Sequence, residues 1–107
     1  MRSALTLIAA LAALTAPALA KDATCYTSDD GEYPCDFQSL DDAGSFEITA
    51  DGKPTFQVWI DSPGVASVGA TFEAGGRSVA LPGLYYRSAD DGACWVSEAT
   101  DTEICAW

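Results

Sequence analysis

A chain of 107 residues with 16 acidic and five basic side chains, four cysteines and no histidine carries a formal charge of −11. That balance excludes the basic footprint that nucleic-acid binding needs, and the missing histidine removes the commonest general base and the commonest metal ligand. Asparagine is absent as well, so there is no N-glycosylation sequon.

In chain order, the first twenty residues read as a cleavable signal peptide. Arg2 supplies the positive n-region, Ala4 to Leu14 form an apolar run broken only by Thr6, and Ala18-Leu19-Ala20 is an A-x-A cleavage site. The run is shorter than the ~20 residues of a membrane span. Cys25 follows Lys21-Asp22-Ala23-Thr24 rather than the cleavage site itself, which argues against a lipoprotein. Cleavage after Ala20 leaves residues 21–107 as one periplasmic or secreted domain. It keeps all 16 acids and four of the five bases, for a net charge of 4 − 16 = −12. Such a charge repels anionic polymers and suits a basic partner, or serves solubility alone.

Four cysteines in a short exported chain imply two disulfides. Cys25, Cys35, Cys94 and Cys105 allow three pairings. Sequential pairing closes two short loops worth about 3 kcal/mol each, and a terminus-to-terminus bridge would close one worth about 4.5 kcal/mol. Sequential pairing is preferred because each pair flanks a turn-rich stretch. Zinc is rejected for want of C-x₂-C spacing and of histidine.

Turn signals recur every eight to twelve residues or so, the mark of an all-β sandwich or barrel. Ala23–Thr27 and Tyr33–Gln38 read as strands around Ser28-Asp29-Asp30-Gly31, with Ser39–Ala43 a turn or a single helical turn. A hairpin follows at Asp51-Gly52, where Phe46, Ile48 and Ala50 alternate with polar residues, as do Phe56, Val58 and Ile60. Parity favours a three-residue loop, Ala50-Asp51-Gly52, that pairs Phe46 with Phe56 and keeps one apolar face whole. Pro54 then begins a strand or lies on an edge. Ser62-Pro63-Gly64 is a turn, and so is Pro82-Gly83. A two-residue loop at Gly75-Gly76 sets Phe72 against Val79 and Ala70 against Leu81. Tyr85–Ser88 and Ala93–Val96 form a third hairpin through Ala89-Asp90-Asp91-Gly92. The last strand, Glu103–Trp107, returns on the Cys94 strand and places Cys94 opposite Cys105. The sum is seven or eight short strands, expected to close as a small antiparallel barrel or sandwich.

Catalytic inventories are thin. Without histidine no Ser-His-Asp or Cys-His set exists, no G-x-S-x-G elbow is present, and a Ser-Lys dyad would have to use Lys21 or Lys53. Carboxylate pairs at Asp29-Asp30, Asp41-Asp42 and Asp90-Asp91 could serve a glycoside hydrolase, but all three lie in turn contexts where aspartate binds nearby backbone amides. Ser28–Glu32 and Asp90–Gly92 gather oxygen ligands without the spacing of a calcium loop. No cofactor or metal site is assigned.

Aromatic residues are the positive signal. Three Trp, four Tyr and four Phe are present, all after residue 20. Trp59 lies between Val58 and Ile60, so by parity it points outward, either as a partner anchor or as a ring covered by a loop. One of Tyr85 and Tyr86 must likewise face out. Trp107 reads as core filling beside Cys105 rather than as the end of an outer-membrane strand, which needs about 9–11 residues and a lipid-facing band.

With the run Leu84-Tyr85-Tyr86-Arg87-Ser88, the general plan resembles that of small bacterial periplasmic lysozyme inhibitors, exported disulfide-bearing β-barrels that bind a basic muramidase. The lysine-bearing loop of the c-type inhibitors has no counterpart here, so no functional residue is carried over. The expectation is a non-enzymatic exported binding protein, an inhibitor or adaptor for a basic protein partner, with contacts at Trp59, Asp61, Tyr86, Asp90 and Asp91. The alternative is a structural or envelope-associated module with no discrete ligand.

Overall fold

The computed structural model describes residues 20–107, and the expected signal peptide lies outside them apart from Ala20. Nine strands follow in order: β1 (Lys21–Thr27), β2 (Gly31–Ser39), β3 (Phe46–Thr49), β4 (Thr55–Ser62), β5 (Val65–Thr71), β6 (Val79–Ala80), β7 (Tyr85–Arg87), β8 (Cys94–Ser97) and β9 (Glu103–Ala106). All pairings are antiparallel. The order β4-β3-β2-β1-β9-β8-β7-β5 closes through a β4–β5 pairing, so eight strands form a barrel and β6 is added along β5. No helix occurs among the described residues.

Alternation builds the core. Cys25, Tyr33, Cys35, Ile48, Phe56, Val58, Ala66, Val68, Tyr85, Trp95 and Ile104 all turn inward and form one cluster, as period-2 side-chain direction requires. Phe46 belongs to the same cluster, and Phe37 stacks on it with ring centres 5.0 Å apart. Burying these side chains is the main drive to fold. The two disulfides, Cys25–Cys35 and Cys94–Cys105, follow the sequential pairing. Cys94 stands opposite Cys105 in the expected register.

Two registers differ from expectation. At the β3–β4 turn, Phe46 faces Val58 and Ile48 faces Phe56, so Phe46 does not meet Phe56. Lys53 N–H bonds to the Ala50 carbonyl at 3.1 Å with Gly52 left-handed (φ 75°), and Pro54, lacking an N–H, holds the ladder off until Thr55. The slip is by two residues, so the apolar face stays whole. At the β5–β6 connection the turn is Glu73–Gly76, closed by Gly76 N–H on the Glu73 carbonyl (2.8 Å). Pairing resumes only at Ala70 and Val79. Phe72 therefore lies beyond the ladder, opposite nothing, and Ala70 does not meet Leu81. The cause lies downstream: Leu81 bonds to Val68 while Tyr85 opposes Ala66, so Pro82-Gly83-Leu84 bulge out against Ser67 alone. β6 and β7 are one strand interrupted at a proline. Of the two readings of Ser39–Ala43 the turn holds: Ser39 ends β2, and the chain turns at Asp41–Ala43.

Candidate functional site

The outer face of β4, β5, β7 and β8 carries two of the four exposed aromatics, Trp59 and Tyr86, while Phe72 lies past the end of β5 and Trp107 follows β9. Trp59 on β4 is paired with Ser67 of β5 and is 45% exposed. Two residues along β5, Val65 pairs with Tyr86 of β7, which is 42% exposed, and Tyr86 in turn pairs with Val96 of β8. By strand spacing the two rings stand on the order of 10 Å apart across β5. Val65 and Val96 are half-buried beside them. The result is an apolar strip on the outside of the barrel, with Trp59 left open to solvent among the described residues.

Acidic groups border the strip. Asp61 is the extra residue of a β-bulge between Ile60 and Ser62, which turns its carboxylate outward to accept the Ser67 hydroxyl at 2.7 Å. Asp90 is exposed in the β7–β8 turn, its N–H on the Ser88 hydroxyl. Asp91 is otherwise engaged. One of its oxygens accepts the Ala93 N–H at 2.9 Å and the other accepts the Trp107 indole N–H at 2.9 Å. Trp59, Asp61 and Tyr86 thus share one face, Asp90 lies at its edge, and Asp91 serves the turn.

The same indole contact corrects the placement of Trp107. It lies 52% exposed at the surface rather than in the core, because it shares the outward parity of Cys105 while Ile104 and Ala106 take the inward positions of β9. Beneath the patch, Arg87 crosses the face of Trp95 at 4.6 Å and donates to the Gly92 carbonyl, fixing the β7–β8 turn that carries Asp90.

The other acidic pairs do local work. Asp41 accepts the N–H groups of Ala43 and Ser45, and hydrogen bonds from the Ser45 side chain and backbone hold its carboxyl below the usual range. Asp30 is ion-paired with Lys53 at 3.7 Å. Cys94, Glu103 and Cys105 bring potential ligand atoms within 4.8 Å of one another, but the two sulfurs are bonded to each other and are not free to bind a metal.

Reading the sequence missed the flanking Val65 and Val96, although each falls on the outward parity of its strand. It also missed a groove between β2 and the β3–β4 turn, lined by Asp22, Tyr33, Asp36, Asp51 and Lys53. Pro34, in the middle of a long strand, was the available signal, since proline inside a sheet marks an edge. No protein family, curated protein or solved structure matches this chain.

Proposed function

We propose that this is an exported, non-enzymatic binding protein, an inhibitor or adaptor for a basic protein partner, docking through the outer face of β4, β5, β7 and β8. The observation that carries the reading is the pairing of Trp59 and Tyr86 across β5, both exposed on a body of net charge −12 after residue 20 (4 − 16). Large aromatics with an acidic border are the composition of an interface anchor for a cationic surface. Charge steers the encounter and the rings supply the contact area. The two disulfides are compatible with an extracellular or periplasmic location. No helix among the described residues is long and apolar enough to cross a membrane. The likeness to lysozyme inhibitors rests on general plan, and supports the class of partner rather than its name.

The test is capture. The oxidised protein is immobilised and exposed to envelope and medium extracts at low and high salt, beside variants Trp59→Ala and Tyr86→Ala. One basic protein held at low salt, released at high salt and lost with either variant is the expected result. Each aromatic truncation should then cost about 2 kcal/mol or more in affinity. A smear of weakly held cations, the same with both variants, leaves the charge as a solubility device and the structural module as the reading.

A further inference from the structure

The sheet order ends at β6, which pairs with β5 and has no strand beyond it among the described residues. An open edge is a template for another strand, and proteins blunt such edges with proline or charge. Gly31–Cys35 of β2, left open because β3 pairs with Asp36–Ser39, is blunted in this way. Pro34 pairs with Thr24, whose N–H and C=O are both bonded to Trp107, so the prolyl nitrogen faces the open side. β6 has no such guard. Leu81 N–H bonds to the Val68 carbonyl at 2.9 Å, and Val79 pairs with Ala70. Alternation therefore turns the N–H and C=O of Ala80, and of Ser78 before it, away from β5.

The edge is short but held in place. The Ser78 hydroxyl donates to Gln57 Oε1 at 3.1 Å, and the Gln57 amide donates to Glu47 at 3.0 Å, a chain that ties β6 across β5 and β4 to β3. It runs past Gly69, where a Cβ would stand 2.8 Å from Ser78 Oγ. Apolar surface lies along the same edge. Val79 shares the inward side of its partner Ala70 yet is 43% exposed, and Phe72, two residues past Ala70, is 60% exposed. Net charge is missing here. Between Ser62 and Tyr86 the charged residues are Glu73 and Arg77, which cancel, so the rest of the chain after residue 20 carries the whole −12 (4 − 16).

We propose that β6 is a dimer edge, which pairs antiparallel with β6 of a second copy of this chain about a two-fold axis at Val79. Ser78 of each copy then exchanges both backbone hydrogen bonds with Ala80 of the other. The two Val79 side chains meet as a non-hydrogen-bonded pair, where side chains approach closest. The register is specific. A slip one way brings in Pro82, which has no N–H, and a slip the other way brings in Gly76, whose N–H is held by the Glu73 carbonyl. Charge selects the occupant. A basic protein is drawn to the acidic faces, whereas two bodies of like charge can approach where neither carries a net charge. Such isologous pairing closes at two copies. Val79 lies on the inward side of the wall and Trp59 and Tyr86 on the outward side, so the dimer leaves the aromatic strip free.

Sedimentation velocity of the oxidised protein from micromolar to millimolar concentration, at low and high salt, tests the assignment. The expected result is a monomer–dimer equilibrium that salt strengthens, because screening weakens the repulsion between two anionic bodies. A basic partner on the aromatic strip would respond to salt in the opposite sense, so the two readings fail separately. Ala80→Pro removes one N–H donor per copy, two bonds per dimer, and should weaken association about thirtyfold. Val79→Lys sets two like charges face to face and should weaken it about tenfold. That variant lowers the net negative charge, so its loss cannot come from overall repulsion, and it leaves the backbone intact should Ala80→Pro fail to fold. Thermal unfolding of both variants checks folding. Trp59→Ala and Tyr86→Ala should leave the dimer unchanged. A monomer under every condition would overturn the proposal and leave the edge to a strand of another protein. A dimer that salt dissolves, one lost with either aromatic variant, or one that folded Ala80→Pro or Val79→Lys leaves undiminished would overturn it as well.

Discussion

The two disulfides close loops of nearly equal length, with sequence separations of 10 and 11, yet they lie on opposite sides of the barrel wall. Cys25 and Cys35 point inward and belong to the core cluster with Tyr33, Ile48 and Ile104. Cys94 and Cys105 face each other on the outward side of β8 and β9, alternating with the inward Trp95 and Ile104, and are buried outside that cluster. Loop entropy cannot tell the two apart, since each is worth about 3 kcal/mol on that account. Whatever difference exists must come from what the sulfurs touch. The comparison separates the covalent role of a bridge from its role as packing, and the inner face of the wall from the outer.

The largest effect should come from breaking the inner bridge. Cys25→Ala with Cys35→Ala forfeits the loop term and leaves a void in the core, for a total of about 5 kcal/mol. The outer double variant, Cys94→Ala with Cys105→Ala, should stay near about 3 kcal/mol. Urea unfolding of the two proteins measures the gap, and equal losses would mean that the inner sulfurs contribute nothing as packing. Serine sharpens the contrast. Two serines at the inner positions leave hydroxyls unpaired in the core and should cost about 1–3 kcal/mol more than two alanines. At the outer positions the Glu103 carboxylate lies within 4.8 Å of both sulfurs and offers an acceptor, so serine should be no worse than alanine.

The next effect lies where the faces meet. Ser45 is buried, and its hydroxyl accepts the Ile60 N–H at 2.8 Å, joining the entry of β3 to β4. Ser45→Ala strands that amide and should cost about 1–3 kcal/mol, a loss that thermal unfolding would register. The same serine holds Asp41 in its charged form. A carboxyl with its folded pKa below the unfolded value stabilises fully above about pH 4 and loses that contribution as pH falls through the folded value. Asp41→Asn should therefore flatten the acid limb of the stability profile. The inner face answers the other end of the scale. Burial, with a smaller push from Asp30, raises the Tyr33 phenol. Burial raises Tyr85 too, partly offset by a hydrogen bond with Ser97 and aided by Asp29. Their contribution is complete below about pH 10 and is lost as pH rises through the folded values. Tyr33→Phe and Tyr85→Phe should each weaken the alkaline loss, and an unchanged alkaline limb would show that the two rings are not shielded in solution.

Most of this architecture is legible from alternation. Ile48, Val58, Ala66 and Ile104 announce their inward direction by parity, and Cys94 finds Cys105 because the last two strands have one sensible register. Trp59 and Tyr86 are placed outward by the same rule. What parity cannot supply is the count of residues spent in a turn. The Phe46–Phe56 and Phe72–Val79 pairings both fail by two residues, a slip that leaves every side chain on its face and so leaves no trace in the pattern. Proline decides both cases, Pro54 by delaying a strand and Pro82 by breaking one. Trp107 eluded the reading for a different reason. Its outward side follows from the parity of Cys105, which reads as a core position in the sequence, and the indole contact with Asp91 across 16 residues is one that no local pattern encodes. The groove beside Tyr33 is invisible in the same way, since it exists only because β3 stops at Thr49.

The smallest effect bears most on function. If the outer strip is a docking face, Trp59→Ser and Tyr86→Ser should each change stability by less than about 1 kcal/mol, because nearly half of each side chain already meets water and neither belongs to the core cluster. An exposed aromatic that contributes little to folding leaves room for a role in binding, whereas one that anchors its strand does not need such a role. The measurement is a pair of denaturation curves set beside the affinity for the captured partner. Binding lost at unchanged stability would assign the rings to the interface. A loss of several kcal/mol on unfolding would instead make the strip a packing surface for β4, β5 and β7. The outer wall would then resemble the inner one, and the distinction drawn from the two disulfides would not extend to the aromatics.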